Sequence, residues 1–503
     1  MLIELILIGL VIFTLWNITK KPADYPPGPW GYPIIGYIPN GKFGFEAKIS
    51  QLRKEHGRIF CWKIGARILV FINDIKLIKE AFQNITFANR PDIIFLSFLE
   101  DKSLGIVSTN GPHWHQLRRF SLRHLRDLGM GKSKIVSAIQ FEVTELVNHI
   151  KKQSGKPAPF PNVLTMAVIN VLWQMVASKR YDFDDENILA MHHDMGEAQR
   201  SLNRLAFLDM FPWIASVLPE ALLNKITLKY KFKLVSDKMS KRFQAYIDEH
   251  KKTLDENNPR DYIDEYLIEM KRQESQPDST MSGKFTYYKN TFSVILKIFK
   301  IDLIGCIADL FAAGLETTSM TTIWAVFYLA TFPEIQEKVH KEIDSVLLNG
   351  TLVTIEDKSR LPYMEAFLTE VLRYSTLVPN GVPHTVMEDT KLGGYIIPKE
   401  SIILTTTESF HFNPNYFESP EEFRPERFLT AEGKFSAPRE GFFPFGIGKR
   451  QCLGESLARM ELFIFLTSLA QNFSFSSPPG KNIDLIPADI PIINQPKMET
   501  RYC

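Results

Sequence analysis

Phe443-Pro444-Phe445-Gly446-Ile447-Gly448-Lys449-Arg450-Gln451-Cys452-Leu453-Gly454-Glu455 sets one cysteine in a glycine-rich, basic loop near the C-terminus. A thiolate is a soft, electron-rich ligand, and as an axial ligand of haem iron it favours O–O cleavage over plain electron transfer. The neighbours suit that task. Gly448 and Gly454 permit a tight turn and a close approach to a flat macrocycle. Backbone N–H groups of such a loop donate to the sulfur and tune its electron push. Phe445 can cover the ring face, and Arg450, two residues before the cysteine, is placed for a haem propionate. A lone cysteine is more often a small buried residue than a ligand. The spacing F-x-x-G-x-R-x-C-x-G is what singles out Cys452.

Three further clusters could do chemistry. Asp309-Leu310-Phe311-Ala312-Ala313-Gly314-Leu315-Glu316-Thr317-Thr318 lies inside a long helical pattern running to about Thr331. Small Ala313 and Gly314 leave space on one face, and Thr317, one turn on, can back-bond to a carbonyl or a water. Glu316 could link that hydroxyl to solvent. A packing face of small residues reads the same way when taken alone. Trp114-His115-Gln116-Leu117-Arg118 puts an indole N–H and a guanidinium on one helix face, where both can donate to a carboxylate, although a surface basic helix has the same pattern. Glu370 and Arg373 share a helix face, and Arg427 in Phe423-Arg424-Pro425-Glu426-Arg427-Phe428 could complete a charge triad. Buried charges persist only when paired, so a triad predicts a structural lock and a lone pair predicts a solvated contact. The remaining histidines, His192 and His193 included, suggest no metal site.

On these motifs the chain resembles the cytochrome P-450 family, most closely the microsomal animal monooxygenases of the family-two clan on their invertebrate side. The resemblance implies a mainly α fold with small β-sheets, the helical-prism fold that holds haem b between two helices. It implies Cys452 as the metal ligand, Glu316 and Thr317 as the catalytic acid–alcohol pair, and Glu370, Arg373 and Arg427 as a structural triad. It implies cofactor contacts at Trp114, Arg118, Arg450 and Phe445, with Arg90 and His384 in weaker positions. A substrate pocket would draw on Phe95, Phe98, Leu99, Leu104 and Ile106, on Ala312 and Ala313, on 377–382 and on the late turn 489–493, with 207–214 as a lid that touches the membrane. These residues are apolar, which fits a lipophilic ligand and fits a core equally well.

The elements that must position these groups are legible in outline. The chain has 503 residues and a formal net charge of +2, with no charge block, which argues against nucleic acid as a main partner. Its four cysteines, Cys61, Cys306, Cys452 and Cys503, show neither zinc spacing nor a disulfide framework. Residues 1–19 are predominantly apolar and are followed by Lys20 and Lys21, the pattern of an uncleaved membrane anchor with its basic end in the cytosol. Residues 20–36, basic and proline-rich, read as a stiff hinge, leaving 37–503 as the haem-thiolate catalytic domain. Strands are predicted over 63–72 with a turn at Asn73-Asp74, and again at 394–398 and 401–406, around a mostly helical 131–376. Set against the resembling family, the run 286–300 reads either as an insertion of about a dozen residues or as retained intron sequence, and a true insertion should loop out on the surface.

The implied activity is insertion of one oxygen atom of dioxygen into a lipophilic small molecule: a steroid, terpenoid, fatty acid or xenobiotic. Electrons would come from NADPH-cytochrome P-450 reductase, with cytochrome b5 as a second donor, at the endoplasmic reticulum membrane with the catalytic domain facing the cytosol. Two rivals are a reductase-independent haem-thiolate isomerase or dehydratase and a non-enzymatic haem-binding protein. The first often lacks the acid–alcohol pair, and the second has no use for it.

Overall fold

The computed structural model describes residues 20–38, 45–96, 99, 104–152, 162–274, 292–348, 350–438, 440–477, 480, 482–488 and 493–497. The expected anchor, Phe98, residues 286–291 and the turn 489–492 lie outside the described residues, as does the side chain of Phe95. The architecture is helical, with a three-stranded sheet and a two-stranded hairpin.

One helix, Phe292–Thr331, runs through the middle. A helix that is apolar on every side must be covered on every side. This one packs against the Asn162–Ala177 helix, the Pro362–Ser375 helix and the Glu455–Asn472 helix, and against the short Gly105–Ser108 helix near its first half. Its stretch Asp302–Thr331 is long and apolar enough to cross a membrane, yet most of it is buried in the fold, which makes it a core helix. Residues 292–300, expected to loop out, instead extend this helix at its N-terminal end. The small residues also divide their work differently from expectation. A Cβ on Gly314 would lie 2.4 Å from Leu172 Cδ2, so Gly314 serves close packing with the Asn162–Ala177 helix. Only Ala313 opens space.

The larger sheet has the order β1-β2-β5, with β1 (Ile59–Ile64) and β2 (Arg67–Ile72) antiparallel and β5 (Ile402–Thr405) parallel to β2. The smaller pairs β3 (Thr390–Leu392) with β4 (Tyr395–Ile397). The turn of the β1–β2 hairpin falls at Gly65-Ala66, not at Asn73-Asp74. Gly65 has φ +56°, and a Cβ there would sit 2.1 Å from the Met210 carbonyl oxygen. Asp74 caps the Ile75–Gln83 helix instead, its Oδ1 accepting from the N–H groups of Lys76 and Leu77 at 3.0 Å each. Turns and N-caps favour aspartate for the same reason, its short acceptor.

The proline-rich stretch is docked on this sheet. Cys61 N–H donates to the Pro27 carbonyl at 2.8 Å and Lys63 N–H to the Pro29 carbonyl at 3.1 Å, so the segment lies along the free edge of β1. Cys61 Sγ donates to the Pro26 carbonyl at 3.0 Å. Prolines accept but do not donate, which suits them to an edge that needs covering.

Candidate active site

The cysteine loop is fastened at two points. Gly448 has φ +85° and its missing Cβ would lie 2.1 Å from the Phe82 carbonyl oxygen, to which Lys449 N–H donates at 2.9 Å. Cys452 N–H donates to the Phe445 carbonyl at 2.9 Å. The sulfur itself accepts from the N–H groups of Gly454 and Glu455, which favour the thiolate, while burial pushes the thiol up. Gly454 has an ordinary φ of −90°, and a Cβ there would meet nothing within 4 Å. Its conformation therefore does not require glycine; it borders open space. Phe445 is half-buried beneath the Arg459 guanidinium, 4.8 Å from the ring centroid.

Two accessible groups mark an internal hollow. Cys452 is open to solvent although protein crowds it closely enough to desolvate its thiol. Ala313 is exposed on the long helix between buried Phe311 and buried Leu315.

The electrostatics of the hollow call for an anion. Arg90, Arg118 and Arg450 stand near enough to repel one another, and burial and that repulsion push Arg90 down to about 9 and Arg450 to about 8. Arg90 donates to the carbonyls of Val382 and Pro383 at 3.1 and 2.7 Å, but its Nε is buried with no partner among the described residues. Trp114 Nε1 is buried and equally unpartnered. Such orphaned donors are costly unless a ligand meets them. A flat group with two carboxylates fits them, as haem does. Arg118 donates to the Gln451 carbonyl, which leaves most of its fork free.

Arg450 differs from expectation. Its guanidinium donates to the carbonyls of Ala88 at 2.7 Å, Ile106 at 3.1 Å and Val107 at 3.2 Å, and also to Thr109. It stacks on Trp114 at 3.8 Å from the ring centroid. It therefore ties the cysteine loop to the opposite wall. His384 is buried, stacked on Phe82 at 4.1 Å, and its Nδ1–H donates to the Phe87 carbonyl at 2.7 Å. Burial, then Arg90, hold its pKa well below the usual imidazole value, so it stands neutral with a lone pair on Nε2.

On the long helix, Thr317 Oγ1 donates to the Ala313 carbonyl at 2.7 Å, and Glu316 Oε2 accepts from Gln495 Nε2 at 3.4 Å. Two aspartates seven residues apart, hence on one face, receive the loop before Trp114. Asp302 Oδ1 accepts from Gly105 N–H at 3.0 Å, and Asp309 Oδ2 accepts from Ile106 and Val107 N–H at 2.7 and 2.8 Å. Burial pushes Asp309 up to about 7. His113 Nε2 reaches Asp302 at 3.1 Å. The two aspartates thereby fix Ile106 and Leu104 against the hollow. Asp309 opens the motif quoted from the sequence, yet nothing in the pattern announced this role.

The structure brings the expected triad together. Arg373 meets Glu370 through two hydrogen bonds of 2.7 and 2.8 Å, and Arg427 Nε meets Glu370 Oε1 at 3.1 Å, all three side chains being buried. The remaining guanidinium N–H groups go to carbonyls, Arg373 to His411 and Pro420 at 2.8 and 2.9 Å and Arg427 to Glu418 and Glu422 at 2.6 and 2.8 Å. His411, which no sequence signal singled out, joins this cluster to the cysteine loop.

A thiolate candidate, anion-seeking arginines and an open space over an acid–alcohol pair define a haem-thiolate oxygenase class of site. A family model for cytochrome P450 matches residues 26–501. Cytochrome P450 2L1 of Panulirus argus is 39% identical over 471 residues, 93% of this chain and 92% of that protein. Cytochrome P450 18a1 of Drosophila melanogaster is 33% identical across 96% of this chain and 88% of its own length. Cytochrome P450 2J2 of Homo sapiens is 34% identical across 95% and 92%. The chain belongs to the cytochrome P450 family and is a haem-dependent monooxygenase of the family-two kind.

Proposed function

We propose that this protein inserts one oxygen atom of dioxygen into a lipophilic small molecule, with Cys452 as the residue that would hold haem b through its thiolate, using electrons from NADPH-cytochrome P-450 reductase. The observations that carry this are the solvent-accessible Cys452 and Ala313 on otherwise buried elements, together with the buried Trp114 Nε1 and Arg90 Nε that have no partner among the described residues. Haem in the hollow supplies the iron that activates dioxygen.

The chain's own residues do the rest. Burial works against charge on the sulfur, and the Gly454 and Glu455 N–H groups donate to it and favour the thiolate. Trp114, Arg90 and Arg118 receive the propionates, while Arg450 and Phe445 fix the walls. His384, neutral, packs the edge through Phe82 and spends its one N–H on the Phe87 carbonyl. Thr317 Oγ1 donates a hydrogen bond to the Ala313 carbonyl; turned into the hollow, the hydroxyl would pass its proton to a water there, and Glu316 beside it would return a proton from solvent to the hydroxyl. Apolar lining from Leu99, Leu104 and Ile106 keeps water out and selects for steroids, terpenoids, fatty acids or apolar foreign compounds.

An acidic reductase, with cytochrome b5 as second donor, fits the outer face of the Gly111–Leu128 helix, where Arg119, Arg123 and Arg126 are exposed one layer from the cysteine loop. A membrane face is supported by two groups of exposed apolar side chains. Tyr32, Ile34 and Ile38 are 78%, 68% and 51% exposed, and Val217, Trp213 and Ile226 are 70%, 43% and 50% exposed. The Gly65-Ala66 turn joins the two groups, donating to the Ile35 and Met210 carbonyls at 2.7 and 2.9 Å. Exposed apolar surface of this extent marks an interface. With an anchor at 1–19, the protein would sit on the endoplasmic reticulum, body in the cytosol.

The test is reconstitution with reductase and NADPH under isotopically labelled dioxygen. One labelled oxygen in the product, with none formed when reductase is omitted, supports the reading. Product formed from a peroxide without reductase would establish the isomerase or dehydratase alternative.

A further inference from the structure

We infer that Gln495 is a positioning residue for the Glu316 carboxylate, through which the segment 493–497 governs proton delivery at Thr317; this rests on the acid–alcohol reading above. Gln495 Nε2 donates to Glu316 Oε2 at 3.4 Å, the long end of a hydrogen bond. The backbone beneath it is pinned. Asn494 Nδ2 donates to the carbonyls of Ser375 and Thr376 at 3.2 and 3.0 Å, Asn494 N–H to Leu377 at 2.8 Å, and Trp324 Nε1 to the Asn494 carbonyl at 2.7 Å. Ala488 N–H donates to the Gln495 carbonyl at 2.8 Å. The next cation along, Lys497, is engaged with Asp484. A firm main chain thus offers one adjustable amide to the carboxylate.

The choice of an amide has a physical reason. An arginine or lysine here would hold Glu316 ionised and deep below the ordinary carboxylate range, so it could not take up a proton. A backbone N–H could not follow the carboxylate as it swings. Glutamine donates without carrying charge, and a 3.4 Å contact is weak enough to release. The same segment binds Leu377, the start of the stretch expected to line the substrate space, so a bulky substrate pressing on 377–382 also bears on one donor to Glu316.

The experiment uses the full-length holoenzyme with reductase. In Gln495→Ala the reduced carbon monoxide spectrum should be unchanged, peroxide released per NADPH should rise about fivefold, and kcat should fall with KM unchanged, the scale of one lost hydrogen bond. Gln495→Glu, with a second carboxylate beside the first, should move the pH of best coupling upward. Gln495→Asn should restore part of the coupling. The infrared carboxyl band of Glu316, assigned by its loss in Glu316→Gln, should shift in Gln495→Ala. If Glu316→Gln uncouples the enzyme while all three Gln495 variants keep wild-type coupling, pH profile and band position, the inference is overturned and the acid–alcohol reading survives. If Glu316→Gln itself leaves coupling intact, both are overturned.

Discussion

The backbone N–H of Phe443 donates to Nε2 of His411 at 3.3 Å. That contact fixes the tautomer. With Nε2 accepting, Nδ1–H must donate to Thr376 Oγ1, 2.9 Å away, whose hydroxyl passes on to the Arg373 carbonyl. The His411 carbonyl accepts from Arg373. One neutral imidazole therefore splices the Glu370–Arg373–Arg427 cluster to the irregular segment leading into Cys452. Burial, then Arg373, push His411 down to about 3 from its ordinary 6.5. The native state binds fewer protons than the unfolded chain between those values, so His411 contributes stability that is complete above about pH 6.5 and is lost as pH falls toward 3. His411→Ala should lower stability by about 2 kcal/mol and flatten the acid limb of a thermal-unfolding pH series.

Glu370→Ala leaves two buried guanidinium groups facing each other. Stranding buried charge costs about 3–5 kcal/mol. The variant should fail to retain haem, seen as a collapse of the haem-to-protein absorbance ratio, and not merely turn over slowly. A variant with wild-type haem content would refute the lock.

Trp114→Phe keeps an aromatic ring under Arg450 and removes the indole N–H, which has no partner among the described residues, together with the pyrrole part of the ring. Haem transfer to excess apomyoglobin should speed up about fivefold, as for one lost charge-assisted hydrogen bond. An unchanged transfer rate would mean the indole does not meet a propionate.

Thr317→Ala removes the hydroxyl that back-bonds Ala313 and leaves the cysteine loop untouched. Expected are a normal reduced carbon monoxide spectrum and reducing equivalents diverted to peroxide. Unchanged coupling would count against the relay.

Glu461 is buried in the Glu455–Asn472 helix with Oε1 unpartnered, and burial pushes it up to about 8 from 4.5. Here the native state holds the extra proton, so stability is full below the unfolded value and declines as pH rises from about 4.5 through 8. Glu461→Gln, which stays neutral, should remove that decline in holoenzyme melting curves. A parallel decline in both proteins would assign it to another group.

Legibility in the sequence followed locality. The cysteine loop and the Glu370–Arg373 pair stand on short spacings, and the apolar run after Asp302 marked its helix. Position 411 was invisible because its partners are backbone groups and one threonine more than thirty residues away. Arg450 was readable as a cation but not as a clasp, since its acceptors are carbonyls at 88 and 106–109. Helical periodicity told that Gly314 is small and not that Leu172 presses on it. The run at 292–300 was misjudged because comparison of lengths cannot tell an extra loop from extra helical turns.

The seam between the Pro26–Pro29 stretch and β1 has a mechanical consequence. Its two main-chain bonds, Pro27 to Cys61 and Pro29 to Lys63, lie in shear along the strand. A load arriving through the chain from residue 20 meets the smaller hairpin first, where Ile396 N–H donates to the Asp24 carbonyl at 2.8 Å, and then the β1 seam, which passes it through β2 to β5, whose Ile403 pairs with His384. With the chain anchored upstream as proposed, the registry of these contacts would set the tilt of the body over a lipid surface, and lengthening the chain before residue 20 would slacken the tether without turning the enzyme.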